Sequence, residues 1–294
     1  MKVWFITGCS TGLGLELAKI AVAKGDKVVG TLRQESQIAG FEQIAPGQAK
    51  GVLLDVTDKD QVSSGVQQAI DAFGQIDVLV NNAGYGLMGS VEEVSDSEAK
   101  HQFEVNVFGV LNVLRKVLPI MRKQRSGHIL NITSIAGLQG YPGVGIYNGS
   151  KFALEGIGEA LAKEVAHLGI KVTNVEPGPF RTDWGGRSAT YVKSEIEDYA
   201  DSAAKNMEAI SGVSGKQIGN PVKAGEAMYK LTELDKAPMH LLLGGPANQR
   251  AKQKFLDFIK EIDDYSHIGL PTDYTEEELT AMGEGGGMGD PMKK

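Results

Sequence analysis

Short runs rich in valine, isoleucine and leucine recur along the chain at 3–6, 27–31, 51–54, 78–80, 128–132 and 171–175. Their apolar residues are nearly continuous rather than alternating, as in strands buried on both faces of a parallel sheet. Between them, 13–23, 58–73, 97–121 and 148–166 carry apolar residues at helical spacing; in the last these are Phe152, Leu154, Ile157, Leu161 and Val165. The alternation predicts right-handed βαβ units and an α/β fold built on a doubly wound parallel sheet. The rhythm breaks over 180–219, a polar stretch holding Trp184 and Tyr191. An insertion of that kind after a strand reads as a binding loop or helical lid over a substrate. After HLLLGG at 240–245 the pattern predicts a helix over 248–264 and then a tail, in which Thr275 and Glu278 fit a capping box. The last stretch, GEGGGMGDPMKK at 283–294, is expected to be disordered. The division predicted is one domain over 1–245 with an extension over 246–294.

Composition narrows the partners. The chain is 41% hydrophobic and 23% charged, an ordinary globular balance. A net charge of -7 and a pI near 5.4 argue against nucleic acid and against an anionic membrane surface. The single cysteine, Cys9, rules out an intramolecular disulfide. The N-terminus passes from a short apolar run straight into glycines, without the features of a signal peptide, so a cytoplasmic location is expected. The five histidines have no metal-ligand spacing, and no metal site is expected.

The first strand runs into TGCSTGLG at 7–14. Gly8 permits a tight turn, Gly12 lets backbone approach a pyrophosphate, and Gly14 lets helix pack on strand. The helix opening near Thr11 and Leu13 offers free N–H groups to phosphate. The spacing is G-x-x-x-G-x-G, and its position between strand and helix makes it a dinucleotide site. At the end of the second strand, Leu32 stands where an acid would bind a ribose 2′-hydroxyl, and Arg33 follows it. An arginine there suits a 2′-phosphate, which favours NADP(H) over NAD(H). Asp55 at the end of the third strand either caps the next helix or reaches the adenine, with Asp58 the better cap.

In this order the motifs resemble the short-chain dehydrogenase/reductase family, in its branch with a single extended Rossmann domain. The match spans 1–245 and rests on TGCSTGLG, Asp55–Val56, NNAG at 81–84, Asn106, Ser134 in ITSIAG, YNGSK at 147–151 and Pro177–Gly178. The resemblance implies an active site of Asn106, Ser134, Tyr147 and Lys151. It implies a cofactor held by Gly8, Ser10, Thr11, Gly12, Leu13, Arg33, Asp55, Val56, Asn82, Ala83 and Gly84 on the adenosine side, and by Tyr147, Lys151, Pro177, Gly178 and Thr182 on the nicotinamide side. Asn106 is given an ordered water in a proton relay. Family members also pair through long helices, here 97–121 and 148–166, so a homodimer or homotetramer is expected.

Tyr147 and Lys151 stand one turn apart, so phenol and ammonium share a helix face. A phenol with a pKa near 10 is a poor acid–base group at neutral pH, and a nearby cation favours its ionised form. Tyr147 then serves as general acid or base toward a carbonyl or alcohol oxygen, with Ser134 hydrogen-bonding that oxygen. The substrate pocket is expected to include Leu87, Met88, Ala136, Leu138, Tyr141 and Trp184. Its apolar character points to a small hydrophobic alcohol or carbonyl compound, with Arg187 and Lys193 of the lid able to meet an anion. The function expected is NADP(H)-dependent interconversion of a secondary alcohol and a ketone or aldehyde. The alternative is a non-catalytic NADP(H)-binding sensor.

Overall fold

The computed structural model describes residues 1–282, so the expectation for 283–294 falls outside the described residues. The strands are β1 (Val3–Ile6), β2 (Lys27–Leu32), β3 (Ala49–Leu53), β4 (Val78–Asn81), β5 (Gly86–Met88), β6 (Gly127–Ile132), β7 (Ile170–Pro177), β8 (Ala189–Tyr191) and β9 (His240–Leu243). The α-helices are α1 (Gly12–Ala23), α2 (Ile38–Glu42), α3 (Lys59–Phe73), α4 (Asp96–Phe103), α5 (Gly109–Gln124), α6 (Gly145–Val165), α7 (Lys205–Gly212), α8 (Pro221–Leu231), α9 (Gly245–Gly269) and α10 (Glu276–Ala281).

Seven strands form one parallel sheet in the order β3-β2-β1-β4-β6-β7-β9. The winding reverses between β1 and β4, which leaves a crevice at their C-terminal ends. Successive residues of β1 serve opposite faces: Trp4 and Ile6 join a core with Leu17 of α1 and Met228 of α8. Phe5 joins a second core with Val66 of α3, Val113 of α5 and Leu154 of α6. Both faces are therefore buried, which is why the strands read as unbroken apolar runs. Asp58 caps α3, accepting from the Asp60 and Gln61 N–H groups.

The helix expected over 97–121 is interrupted. A capping box of Ser95 and Glu98 opens α4, a π-helical turn follows at Glu104–Phe108, and α5 resumes at Gly109. The turn places Asn106 at the crevice, and Gly109 fits because a Cβ there would lie 2.5 Å from Val56. Single π turns inside helices are frequent at functional sites. β9 and α8 were not anticipated from periodicity. α8 nonetheless starts on a readable signal, with Asn220 capping and Pro221 in the first turn.

A side-chain ladder ties α6 to the sheet. Asn81 donates to Asn131 at 2.9 Å, Asn131 to Asn174 at 3.1 Å, and Asn174 to Glu155 of α6 at 2.6 Å. Gly158 permits this approach, since a Cβ there would lie 2.1 Å from the Asn174 amide oxygen. The helix bearing Tyr147 and Lys151 is thus held to β7 by polar contacts as well as by packing.

The chain separates into two compact units, Met1–Ala251 and Lys252–Lys294. The first ends beyond residue 245 because Ala247 and Ala251 are buried with Ile135. In the second, α9 continues to Gly269, and Thr275 and Glu278 form the capping box of α10. Among the described residues no helix is long and apolar enough to cross a membrane.

Candidate active site

The glycine turn is built as a cradle. Gly8 and Gly12 have φ of 73° and 67°, in the left-handed region. A Cβ on Gly14 would lie 2.5 Å from the Asn82 amide nitrogen and 2.7 Å from the Gly8 carbonyl oxygen. Asn82 holds the turn by donating to the Thr7 and Gly8 carbonyls, each at 2.9 Å. The N-terminus of α1 has no side-chain cap and no acid in its first turn. Its N–H groups therefore remain available for an anion, and the residues fit a dinucleotide diphosphate. Val56 is buried beneath this edge, and Asp55 accepts from the Thr57 N–H and hydroxyl. Arg33 is exposed directly after β2, while Leu32 is buried in the core.

Around the crevice, Asn106, Ser134, Tyr147 and Lys151 converge. Ser134 follows β6 and accepts from the Ala136 N–H at 3.0 Å. Its hydroxyl lies beside the phenol of Tyr147 and favours the ionised form. The Lys151 Nζ lies 5.8 Å from the centre of the Tyr147 ring and donates to the Ile132 carbonyl at 2.8 Å. A Cβ on Gly84 would meet the Asn106 Oδ1 at 3.0 Å and the Lys151 Nζ at 3.7 Å, so glycine keeps this corner open. The side chain of Asn106 binds the Tyr85 backbone both ways, accepting from its N–H at 3.1 Å and donating to its carbonyl at 3.0 Å.

The electrostatics differ from the expectation that Lys151 lowers the Tyr147 pKa. Among the protein's own groups burial dominates: it pushes the phenol up to about 12, opposed only by Ser134. Burial also pushes the Lys151 ammonium down to about 8, against the attraction of Glu155.

The pocket residues divide. Tyr147 packs in a cluster with Met88, Ala136, Tyr141, Trp184 and Met207. The Trp184 ring lies 5.1 Å from that of Tyr147. Leu138 packs with Ile135, Ala247 and Leu242, and Leu87 is buried within β5. β5 pairs in parallel with β8, which anchors the lid at the crevice. A cavity of about 380 Å³ opens within the lid, lined by Tyr191, Ala204 and Met207 among others.

Further residues position the site, and of these Asn148 carried no clear sequence signal. Asn148, next to Tyr147, donates to the Ala136 and Gln139 carbonyls at 2.8 and 3.0 Å, fixing the loop after Ser134. Arg187 of the lid donates to the Thr11 hydroxyl at 2.7 Å, at the mouth of the glycine turn. Thr182 lies beside the same turn, 3.8 Å from where a Cβ of Gly12 would stand. His240, one of the five histidines without metal-ligand spacing, lies 2.8 Å from Glu176 and 3.6 Å from Glu155. These three are the one group of potential ligand side chains gathered closely among the described residues. They are brought together by the register of β7 and β9, which sets Asn174 against His240.

A parallel sheet with a phosphate cradle at its switch point, and a buried tyrosine–lysine pair beside it, defines a nucleotide-binding oxidoreductase. The chain belongs to the short chain dehydrogenase family, whose model matches residues 2–191. It is 40% identical over 256 residues to the oxidoreductase BOA17 of Botryotinia fuckeliana, covering 85% of this chain and 91% of that one. It is 38% identical over 244 residues to a 3-ketodihydrosphingosine reductase of Bacteroides thetaiotaomicron, covering 83% and 88%. A crystal structure of a short-chain dehydrogenase from Streptomyces avermitilis superposes with a TM-score of 0.87 at 36% identity, covering 93% of this chain and 98% of that one. A further neighbour, ElxO with NADP bound, has a TM-score of 0.70 at 27% identity, covering 84% and 99%.

Proposed function

We propose that this protein is an NADP(H)-dependent oxidoreductase that interconverts an apolar secondary alcohol with its ketone, or an aldehyde with its alcohol. The observation that carries this reading is the convergence of Tyr147, Ser134 and Lys151 beside the glycine cradle. Gly8, Ser10, Thr11, Gly12, Leu13, Asn82, Ala83 and Gly84 would hold the adenosine half, with Arg33 at the 2′-phosphate. Pro177, Gly178 and Thr182 would face the nicotinamide, which supplies or takes the hydride. Ser134 binds the reacting oxygen, and Tyr147 gives that oxygen its proton in reduction and takes it back in oxidation. Lys151 holds ribose hydroxyls and keeps a positive charge near the phenol. Asn106 acts by fixing the Tyr85 backbone, and through it the opening at Gly84.

The apolar surroundings of Tyr147 favour a hydrophobic substrate, and the cavity within the lid offers room for an aliphatic or aromatic extension. The relative named for 3-ketodihydrosphingosine reduction supports the same chemical class. Association through α5 and α6 fits the exposure of Phe108 and Phe152, large apolar side chains at these elements.

The test is a panel of apolar ketones and aldehydes, with NADPH consumption followed by absorbance. Tyr147→Phe should lose at least roughly a hundredfold in turnover, the scale of a general acid, while cofactor affinity is retained. A variant that keeps most of its turnover removes Tyr147 as the acid.

A further inference from the structure

The proposed hydride and proton transfers do not use the group of Glu155, Glu176 and His240 that α6, β7 and β9 bring together. One potential ligand atom of each lies within 4.8 Å of the other two. His240 Nδ1 is 2.8 Å from Glu176 Oε1 and 3.6 Å from Glu155 Oε2. Glu176 is 0% and Glu155 4% exposed. Two buried carboxylates this close repel each other, and each is costly to bury unless it is fully paired. Here the pairing is incomplete. Asn174 donates to Glu155 Oε2, and His240 meets Glu176 through Oε1. Glu155 Oε1 and Glu176 Oε2 are left buried with no hydrogen-bond partner among the described residues. Lys151 attracts Glu155, but its Nζ donates to the Ile132 carbonyl. A proton shared between His240 Nδ1 and Glu176 Oε1 leaves Oε2 unserved, whichever of the two atoms carries it.

A divalent cation answers both the repulsion and the unpaired oxygens. Bonds of about 2.0–2.2 Å to carboxylate oxygen and imidazole nitrogen set neighbouring ligand atoms roughly 3–3.5 Å apart. The separations of 2.8 and 3.6 Å bracket that range. The ion takes the place of the proton between Nδ1 and Oε1, as metals displace protons from their ligands. The other ring nitrogen is also provided for: Nε2 lies 3.6 Å from Oε1 of Glu159, one turn along α6 from Glu155. A metal-binding imidazole characteristically gives its second N–H to such a carboxylate, which fixes the tautomer and the ring. The side chains of His240 and Glu159 are 39% and 50% exposed, so an ion has an entry from solvent. Oxygen ligands alone suit magnesium or calcium, whereas an imidazole among them shifts the preference to first-row transition ions such as zinc. Histidine spacing gave no sign of this group, because its members come from three elements that meet only in the folded sheet.

We propose that Glu155, Glu176 and His240 form a binding site for a divalent transition-metal ion of the zinc class, with Glu159 orienting the imidazole. The ion would clip the edge strand β9 and the helix α6 to β7. The site is separate from the glycine cradle, and it does not depend on the proposed catalysis.

The test uses the full chain, stripped with a chelator and titrated in a calorimeter with zinc chloride alone, with magnesium chloride as the comparison. One zinc ion should bind per chain, and magnesium should bind far more weakly. The unfolding temperature should rise with zinc concentration, as for any ligand held by the folded state alone. His240→Ala removes the nitrogen ligand at a partly exposed position and should abolish the binding. Glu176→Gln, which keeps the shape of the side chain, should abolish it as well. Glu159→Gln leaves the three ligands in place and should weaken zinc by about tenfold or more. His267→Ala, at an exposed histidine elsewhere, should change nothing. Circular dichroism in chelator establishes that each variant is folded, and if Glu176→Gln is not, His240→Ala decides alone. Zinc that does not bind, or that binds His240→Ala as tightly as the unaltered protein, overturns the proposal. So does magnesium bound as tightly as zinc. Neither readout uses carbonyl reduction, so failure here is distinct from failure of the active-site reading.

Discussion

Replacing Arg33 with alanine tests cofactor choice through one side chain. The residue follows β2, on the edge where the adenosine ribose would lie, and it is exposed. No described acid sits within ion-pair distance, so its guanidinium is free for a phosphate. Charge-assisted hydrogen bonds contribute roughly 1.5–3 kcal/mol. Exposure and salt screening reduce this, as they do for surface pairs. The lower end of the range is the appropriate choice and corresponds to about a tenfold change in affinity. Arg33→Ala should therefore weaken NADPH by about tenfold and leave NADH nearly unchanged. The difference should shrink between low and physiological salt, because the pair is solvent-facing. Dissociation constants for both cofactors from fluorescence or calorimetry, each at two ionic strengths, measure this directly. Equal weakening of both cofactors, or an unaltered protein that prefers NADH, refutes the phosphate assignment. Leu32→Asp is a poorer tool than its position in the sequence implies. Leu32 is only 2% exposed and packs in the core, so a carboxylate there also incurs a burial cost.

Gly14→Ala should weaken cofactor binding by more than tenfold, because its Cβ would displace Asn82 from the turn; overpacking of this kind costs about 1–3 kcal/mol. Unchanged affinity in calorimetry would show that the turn tolerates the shift. Arg187→Ala removes the lid contact to Thr11 and should raise the KM for NADPH severalfold while kcat changes little. A fall confined to kcat would place Arg187 elsewhere in the cycle. Glu176 is pushed up to about 7, first by burial and then by Glu155. A group whose pKa is raised on folding gives stability that is complete below its unfolded value near 4.5 and is lost as pH rises through about 7. Thermal unfolding followed across that window should show a decline with pH, flattened in Glu176→Gln; an identical slope in both proteins refutes the linkage.

The sheet was legible because burying both faces of a parallel strand leaves an unbroken apolar run, and six such runs mark six strands of the sheet. β9 escaped because it is a short edge strand whose first residue, His240, faces solvent. The helix over 97–121 was legible as helical but not as interrupted. A π turn adds one residue without changing composition, and only the placement of Asn106 exposes it. Gly8, Gly12 and Gly14 could be singled out from spacing alone; in the fold Gly8 and Gly12 take left-handed φ values, and a Cβ on Gly14 would meet Asn82 and the Gly8 carbonyl. The ladder of Asn81, Asn131 and Asn174 could not be read, because it depends on which strands neighbour one another. Leu138 follows Ser134 closely in sequence, and the turn at Ile135–Gly137 brings it against Ala247, a neighbour that spacing does not show.

The tyrosine–lysine pair carries the deepest difference between pattern and geometry. Spacing alone predicts an ammonium that acidifies a phenol. The folded protein instead buries both groups, and desolvation opposes charge on each: Tyr147 rises to about 12 and Lys151 falls to about 8. Two groups moved in these directions favour neutral phenol and, above pH 8, neutral amine. Burial thus favours a proton on Tyr147, and a further positive charge in the same low-dielectric pocket would oppose that preference. An oxidised nicotinamide brings such a charge, and a reduced one does not. In the proposed reaction the same burial would suit both directions: a protonated phenol for reduction and, beside a cationic ring, a phenol more easily ionised for oxidation. Glu155 belongs to this balance, since it is the one group that favours the charged form of Lys151. It is itself held by Asn174 at the end of the ladder across the sheet. The packing of α6 on β7 and the charge balance at Lys151 therefore share one side chain.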